Sequence, residues 1–200
     1  MDHAEMLDVA RSVIRDDMRA LASVEADLGD GFLDAVDLLA AAQGKVLVAG
    51  MGTSGATARR IAHLLSCGGT PSIFVHPADC LHGGLGAVGP TDVVIGISKG
   101  GESDELNQYC ELAGERGAKV VTMTAEPAST LATVSDAVLL VRTPDDTDPG
   151  SMMAMGSALA ACAVGDALAV VLMRLRDYPW ERFEQTHPGG AVGKQIAERD

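Results

Sequence analysis

The chain has 200 residues, is 47% hydrophobic but only 3% aromatic, and carries a formal net charge of −13 at pH 7. The hydrophobic content excludes a disordered protein, and the length predicts a single domain with a substantial core. The acidic charge repels nucleic-acid phosphates and anionic lipid surfaces, so we expect neither as a partner.

The order of apolar and polar segments predicts an α/β fold. Helices are predicted at residues 3–26, 30–42, 57–67, 102–117 and 151–175. Short apolar runs predict buried strands at residues 45–50, 72–76, 92–98, 119–124 and 137–142. Apolar strands that are mostly separated by helices form parallel sheets covered on both faces. We therefore expect a three-layer αβα sandwich with a five-stranded parallel sheet.

The whole chain is predicted to form one domain. We expect N-terminal helices at residues 1–42, an α/β core at 43–145 and C-terminal helices at 151–200. Residues 151–173 carry one charge and are long enough to cross a bilayer. Their content of Ala, Gly and Ser, together with Asp166 inside the segment, favours a core or subunit-interface helix instead.

The N-terminal sequence and the cysteines indicate a cytoplasmic protein. The first ten residues are acidic and lack the apolar core of a signal peptide. No cysteine pair has C-x-x-C spacing, which predicts free thiols in a reducing compartment. The cysteines are Cys67, Cys80, Cys110 and Cys162. No H-x-x-H or equivalent ligand spacing is found, so we expect neither a metal nor another cofactor.

A glycine-rich loop follows the first predicted strand. Residues 50–55, Gly-Met-Gly-Thr-Ser-Gly, open the next helix, whose backbone N–H groups attract anions while the glycines permit close approach. The loop also satisfies the G-x-G-x-x-G pattern of dinucleotide sites. That fingerprint requires an acidic residue at the end of the second strand, where His76 stands with Asp79 shortly after. A dinucleotide site and a plain tight turn both stay open.

A second loop of similar chemistry follows the third strand. Residues 98–103, Ser-Lys-Gly-Gly-Glu-Ser, again open a helix, and Ser103 is suited to cap that helix while it contacts an anion. Two such loops at the carboxyl ends of neighbouring parallel strands predict one polar crevice. Their size and hydroxyl content favour a single phosphate over a pyrophosphate. Lys99 within this loop is typical of a solvated surface lysine.

Together, the two loops resemble those of the SIS (sugar isomerase) domain. Further segments resemble the arabinose-5-phosphate isomerase family of the KpsF/GutQ type: FVHPADCLHGGLGAV (74–88), DVVIGIS (92–98), TAEPASTLA (124–132), GDALAV (165–170) and THPGGAVGK (186–194). The resemblance implies an SIS-type, flavodoxin-like domain that interconverts aldose and ketose phosphates through an enediol. Members of that family often carry a C-terminal pair of CBS domains, which we expect this protein to lack.

The resemblance also implies roles for individual residues. We expect phosphate or substrate binding by Gly52, Thr53, Ser54, Ser98, Lys99, Gly101 and Ser103, of which the serines match the family's phosphate-binding hydroxyls. The catalytic candidates are Glu105, His187, His82 and Asp146. Glu105 matches a carboxylate that acts in acid–base chemistry, and His187 a histidine proposed for ring opening or proton transfer. Without the resemblance, Glu105 and Asp146 would be interpreted as solvated acidic residues.

Two positions depart from the family pattern. Thr53 stands where the family usually has Lys, so a cation that would stabilise phosphate or enediolate charge is missing there. Arg59 and Lys99 are the candidates to replace it. Gly100 stands where the second loop commonly has another serine. These departures motivate a second hypothesis, a non-catalytic sugar-phosphate sensor, beside the third hypothesis of an NAD(P)-binding enzyme.

The predicted helix at 151–175 suggests self-association. It has more apolar surface than one layer of a small domain hides, and SIS domains typically pair. In relatives, the histidine segment can complete a neighbour's site. We therefore expect a homodimer or homotetramer with the sites near subunit interfaces.

Overall fold

The computed structural model describes residues 1–188, and in it five strands form one sheet. The strands are β1 (Val46–Gly50), β2 (Ser72–Val75), β3 (Val93–Ile97), β4 (Lys119–Thr124) and β5 (Ala137–Leu140). Their order is β2-β1-β3-β4-β5, and every neighbouring pair is parallel. This doubly wound order is that of flavodoxin-like folds, so the predicted fold class is confirmed.

Helices cover both faces of the sheet. Within residues 1–188 they are α1 (His3–Asp27), α2 (Asp30–Ala41), α3 (Gly52–Cys67), α4 (Pro77–Leu81), α5 (Asp104–Glu115), α6 (Thr130–Thr133), α7 (Gly156–Leu175) and α8 (Trp180–Thr186). Short 3-10 turns lie at Gly84–Ala87, Asp145–Thr147 and Pro149–Ser151. Buried residues of α1, α2, α3 and α7 form the core on one face, and those of α4, α5 and α6 form the core on the other.

Alternation along the central strands feeds both cores. Val46 and Val48 belong to the core under α3 and α7, whereas Leu47 and Ala49 belong to the core under α5. Successive side chains of a strand point to opposite faces, so a strand covered on both faces is apolar at every position. This is why β1 is a continuous apolar run rather than an alternating one, and β1 and β3 are buried throughout.

Helix α7 lies on the sheet beside α3. Among the described residues it is long and apolar enough to cross a membrane by length and composition alone. Its Val164, Leu168 and Leu172 are nevertheless buried in the core that α3 shares, so it packs as a core helix. Gly165 permits the close approach, because a Cβ there would collide with the side chain of Ile61 on α3.

Two helices begin five residues away from their predicted first residues. The helix predicted from residue 57 begins at Gly52, whose φ of 52° lets the chain turn into the helix directly after β1. The helix predicted from residue 151 begins at Gly156, because residue 151 ends a 3-10 turn and residues 152–155 are not helical. Both differences bear on the candidate site, since they set where the N-terminal amides of α3 and α7 lie.

Candidate active site

The two loops predicted to bind phosphate lie side by side. β1 pairs directly with β3, with Gly50 opposite Ile97, so the loops that follow these strands emerge at the same edge of the sheet. In the strand order, β1 is followed by β2 on its outer side, whereas β3 is followed by β4 in the opposite direction. Open α/β sheets bind ligands at such a switch point, outside the carboxyl ends of the strands. We call residues 50–55 the first loop and residues 98–103 the second loop.

Glycines hold the first loop close to its strand. A Cβ at Gly50 would lie 2.7 Å from the carbonyl oxygen of Ser54, and one at Gly55 would lie 2.8 Å from that of Gly50. The α3 N-terminus is thereby packed against the end of β1, and within the described residues its N-cap residue, Met51, makes no side-chain capping bond. Free N–H groups and the helix dipole make this a favourable place for an anion.

The second loop is braced by its own hydrogen bonds. The Gly101 amide donates to Ser98 Oγ over 3.1 Å, and Asn107 Nδ2 donates to the Gly101 carbonyl over 3.1 Å. Ser98 Oγ and Ser103 Oγ lie 3.3 Å apart. Ser103 occupies the N-cap position of α5 but its hydroxyl makes no capping bond, so the predicted capping is not formed. Its hydroxyl therefore points to its loop partner rather than to the helix amides.

A cleft of about 370 Å³, including space open to solvent, lies between these loops and α7. Its polar lining comprises Ser54, Thr57, Lys99, Thr124 and Ser157, and its floor includes Ile97, Met123 and Val141. Among the described residues that line the cleft, Lys99 alone carries a charge.

Asp148, which was not among the residues predicted from the sequence, lies beneath the cleft. Its side chain is 1% exposed, and it accepts from Lys99 Nζ at 2.8 Å. It also accepts from Ser157 Oγ at 2.6 Å, from the Ser157 amide at 3.1 Å and from the Met155 amide at 2.8 Å. Burial alone would raise the pKa of Asp148, but these donors outweigh it and hold the pKa at about 2. Asp148 therefore joins the second loop to the start of α7, and Lys99 is not simply solvated.

Acid is expected to remove the stabilisation that Asp148 provides. Because its folded pKa of about 2 lies below the ordinary value of 3.8, the ionised carboxylate stabilises the fold above about pH 4 and loses that effect as the pH falls toward 2. The contribution at neutral pH is about 2 kcal/mol. Urea unfolding of the wild type and Asp148→Asn should show their stabilities converging between pH 5 and about 2.5. A gap that stays constant over this range would contradict the assignment.

Glu105 and His82 lie on the other side of the sheet from α3. Glu105 is exposed in the first turn of α5, two residues beyond Ser103. His82 is exposed directly after α4, and α4 packs against α5. Neither residue lines the cleft; Glu105 lies on the helix that follows the second loop, and His82 follows a helix that packs against α5.

Asp146 and His187 lie away from the cleft within one chain. Asp146 is exposed and accepts two hydrogen bonds from Arg19 on α1, at 3.2 and 3.0 Å. His187 follows α8, stacks on Phe183 and has its Nε2 3.3 Å from Cys67 Sγ. Cys67 ends α3, so about 22 Å of helix separates it from the first loop at 1.5 Å per residue. One protomer alone does not bring His187 to the two loops.

Thr53 is exposed in the first turn of α3 and has Arg60 as a neighbour in a shallow groove. Neither nearby arginine turns to the cleft. Arg59 places its guanidinium over the Phe74 ring, 3.9 Å from the centroid, and Arg60 is paired with Asp166 of α7. Of the two candidates to replace a lysine at Thr53, Lys99 is therefore the one in the cleft.

Comparison with known proteins places these features in a family. The SIS domain model matches residues 38–171. The arabinose 5-phosphate isomerase KdsD of Pseudomonas aeruginosa is 35% identical over 98% of this chain. The chain spans 56–62% of the length of the curated relatives it matches.

Two solved structures agree closely with this fold. A candidate sugar-phosphate isomerase from Listeria monocytogenes superposes with a TM-score of 0.90 at 32% identity, covering 94% of this chain and all of the other. An Escherichia coli CFT073 protein solved in complex with arabinose 5-phosphate has a TM-score of 0.90 at 29% identity, with the same coverage.

Proposed function

The chain belongs to the SIS domain family, and we propose that it is an aldose–ketose sugar-phosphate isomerase that converts arabinose 5-phosphate and ribulose 5-phosphate. The observation that carries this proposal is the cleft at the β1/β3 switch point, bordered by two loops of the kind that bind phosphate. The names of the similar isomerases and the arabinose 5-phosphate complex of the similar structure support the substrate class. No observation favours the sensor or the dinucleotide enzyme over this function.

Phosphate binding would fix the substrate at the two loops. Gly52, Thr53 and Ser54 at the start of α3 offer backbone N–H groups or hydroxyls, and Ser98, Lys99, Gly101 and Ser103 belong to the second loop. Interaction with the non-reacting phosphate holds C1 and C2 at a defined place, which converts proton transfer into an intramolecular step. The glycines matter for shape, since they let the ligand approach the backbone closely.

The reaction moves a proton between adjacent carbons. We propose that Glu105 removes the C2 proton of the open-chain aldose, giving an enediol, and returns a proton to C1, so that C1 is reduced and C2 oxidised. This is an intramolecular oxidation and reduction, and the balance requires no external electron carrier. His82 is proposed to act beside it on the substrate hydroxyls.

Asp146 and His187 are proposed to act in an oligomer, His187 in ring opening or proton transfer. Exposed apolar side chains on α1, among them Ile14 and Met18, support a face that another copy covers. A homodimer or homotetramer would let His187 of one copy reach the loops of another. Light scattering should give a mass of at least two chains, and the mass of one chain would contradict this arrangement.

Turnover on a panel of aldose phosphates tests the proposed function. In D₂O, we expect arabinose 5-phosphate to give ribulose 5-phosphate that has incorporated solvent deuterium, because the transferred proton passes through an exchangeable base. Proton NMR follows both changes in one sample. No turnover of any aldose phosphate by the protein would contradict the proposal. We propose a cytoplasmic location for this activity, which the free cysteines of the described residues support.

A further inference from the structure

We propose that Asp148 is a positioning residue that holds Lys99 as the cation for the phosphate group of the ligand, the role that Thr53 cannot fill. The proposal rests on the proposed function only for the class of ligand, a phosphorylated sugar. It goes beyond that function in two ways. It assigns the positive charge that binds the phosphate to Lys99 of the second loop, and it assigns the orientation of Lys99 to the buried carboxylate of Asp148 near α7.

The position of Lys99 is the first support. Its side chain lines the same cleft as Ser54 of the first loop and is 36% exposed, so a ligand can reach the ammonium. Its backbone is fixed as well, because the Lys99 carbonyl accepts from the Ala125 amide at 2.9 Å and from Thr124 Oγ1 at 3.0 Å. The backbone of Lys99 is therefore fixed by hydrogen bonds, and its ammonium group is held by Asp148.

The surroundings of Asp148 are the second support. A buried carboxylate that only balanced Lys99 would need one donor, yet Asp148 also binds the amides of Met155 and Ser157 and the Ser157 hydroxyl. These donors belong to the N-terminus of α7, a 20-residue helix whose dipole is positive at that end. They offset much of the carboxylate charge, so the ammonium keeps a net attraction for an anion in the cleft. One NH₃⁺ donor is used by Asp148, and the other two remain for a ligand.

The negative net charge of the whole protein makes a local cation important for binding an anion. A net charge of −13 repels a doubly charged phosphate at long range. Hydroxyls and helix amides supply partial charges at the loops, but a full positive charge at short range makes stronger, charge-assisted hydrogen bonds. Arg59 and Arg60 are held elsewhere, by Phe74 and Asp166, and Lys99 is the charged side chain among the described residues that line the cleft.

A matched ion pair at the opposite edge of the sheet provides the control. Lys45 Nζ lies 2.7 Å from Asp92 Oδ2, with side chains that are 35% and 4% exposed, against 36% and 1% for Lys99 and Asp148. Lys45 and Asp92 precede β1 and β3, whereas the cleft lies where these strands end. Loss of either pair removes a comparable interaction from the fold, but only one pair lies in the cleft.

The test is calorimetric titration with inorganic phosphate, followed by arabinose 5-phosphate. Lys99→Met should weaken phosphate binding by roughly tenfold to a hundredfold, the loss expected for a charge-assisted bond, while Lys45→Met leaves it unchanged. Lys99→Arg should restore most of the affinity. Equal affinities in the wild type and Lys99→Met, or equal losses in Lys99→Met and Lys45→Met, would overturn the proposal.

The role of Asp148 is tested by a double-mutant cycle. Asp148→Asn should weaken phosphate binding when Lys99 is present and have no further effect in Lys99→Met, because it acts through the lysine. Asp92→Asn should have no effect in either background. Additive losses would mean that Asp148 serves the fold alone and would overturn its positioning role. Since phosphate binding needs no turnover, an inactive protein that shows this coupling would refute the proposed isomerase and retain the Lys99 assignment.

Discussion

Replacement of Glu105 by Gln is expected to lower kcat on arabinose 5-phosphate by about 10²–10⁴-fold, the usual contribution of a positioned acid–base group. Gln has the same shape but cannot accept the C2 proton. Because Glu105 lies in the first turn of α5, outside the second loop itself, the affinity for inorganic phosphate should stay within about twofold of the wild type. Steady-state kinetics and calorimetric titration measure the two quantities separately.

Glu111 on the same helix provides the control for Glu105. It is also exposed, but it lies six residues further from the second loop, so Glu111→Gln should leave both kcat and phosphate affinity unchanged. A turnover rate in Glu105→Gln equal to that of the wild type would show that Glu105 is not the catalytic acid or base. A joint loss of phosphate binding and turnover would assign it to the binding site instead.

Substitution of Gly101 by Ala is expected to cost about 2–4 kcal/mol of unfolding free energy and to abolish phosphate binding. Gly101 has a φ of 68°, which side chains disfavour, and a Cβ there would collide with Ser129. Its carbonyl also accepts from the Leu131 amide at 3.1 Å and from Asn107 Nδ2 at 3.1 Å. A shift at Gly101 therefore displaces the second loop from both α5 and α6. Urea unfolding and phosphate titration report the two effects.

The adjacent Gly100 provides the control for the substitution of Gly101. No atom lies within 4 Å of a Cβ built on Gly100, and its φ is not positive. Gly100→Ala should accordingly fold and bind phosphate as the wild type does. Equal behaviour of the two variants would show that the conformation of the second loop is not set by Gly101 as described.

The sheet and the two loops could be predicted from local sequence. Each strand is a short apolar run, and the third, predicted at 92–98, is found at Val93–Ile97. Chain order alone also predicts that loops at the carboxyl ends of parallel strands share one edge, and the pairing of β1 with β3 confirms it for residues 50–55 and 98–103. The KpsF/GutQ resemblance drawn from the motifs is likewise confirmed by the similar isomerases.

The pairing of Lys99 with Asp148 could not be predicted in this way. The two residues are 49 positions apart. Asp148 lies between two short 3-10 turns, and non-helical residues 152–155 connect it to the first amides of α7. Periodicity carries no signal for such turns. An aspartate followed by proline in an acidic loop looks solvated, and the signal that marks it, burial against the α7 amides, exists only in the folded chain.

His187 shows a different limit. The motif around it matches the family, but its position depends on how α8 folds back. Its polar contact outside α8 is with Cys67, which is 120 residues away. Sequence motifs assign a residue to a chemical role without fixing which copy of the chain uses it. In the proposed oligomer, His187 of one copy would reach the loops of another, which reconciles the motif with this position.

A crystal structure of Glu105→Gln with arabinose 5-phosphate tests the central claim most directly. We expect the phosphate within hydrogen-bond distance of Ser54 and of the second loop, with Lys99 Nζ contacting a phosphate oxygen and C2 next to the side chain at position 105. A sugar phosphate bound outside the cleft, or bound in it with C2 remote from position 105, would contradict the account.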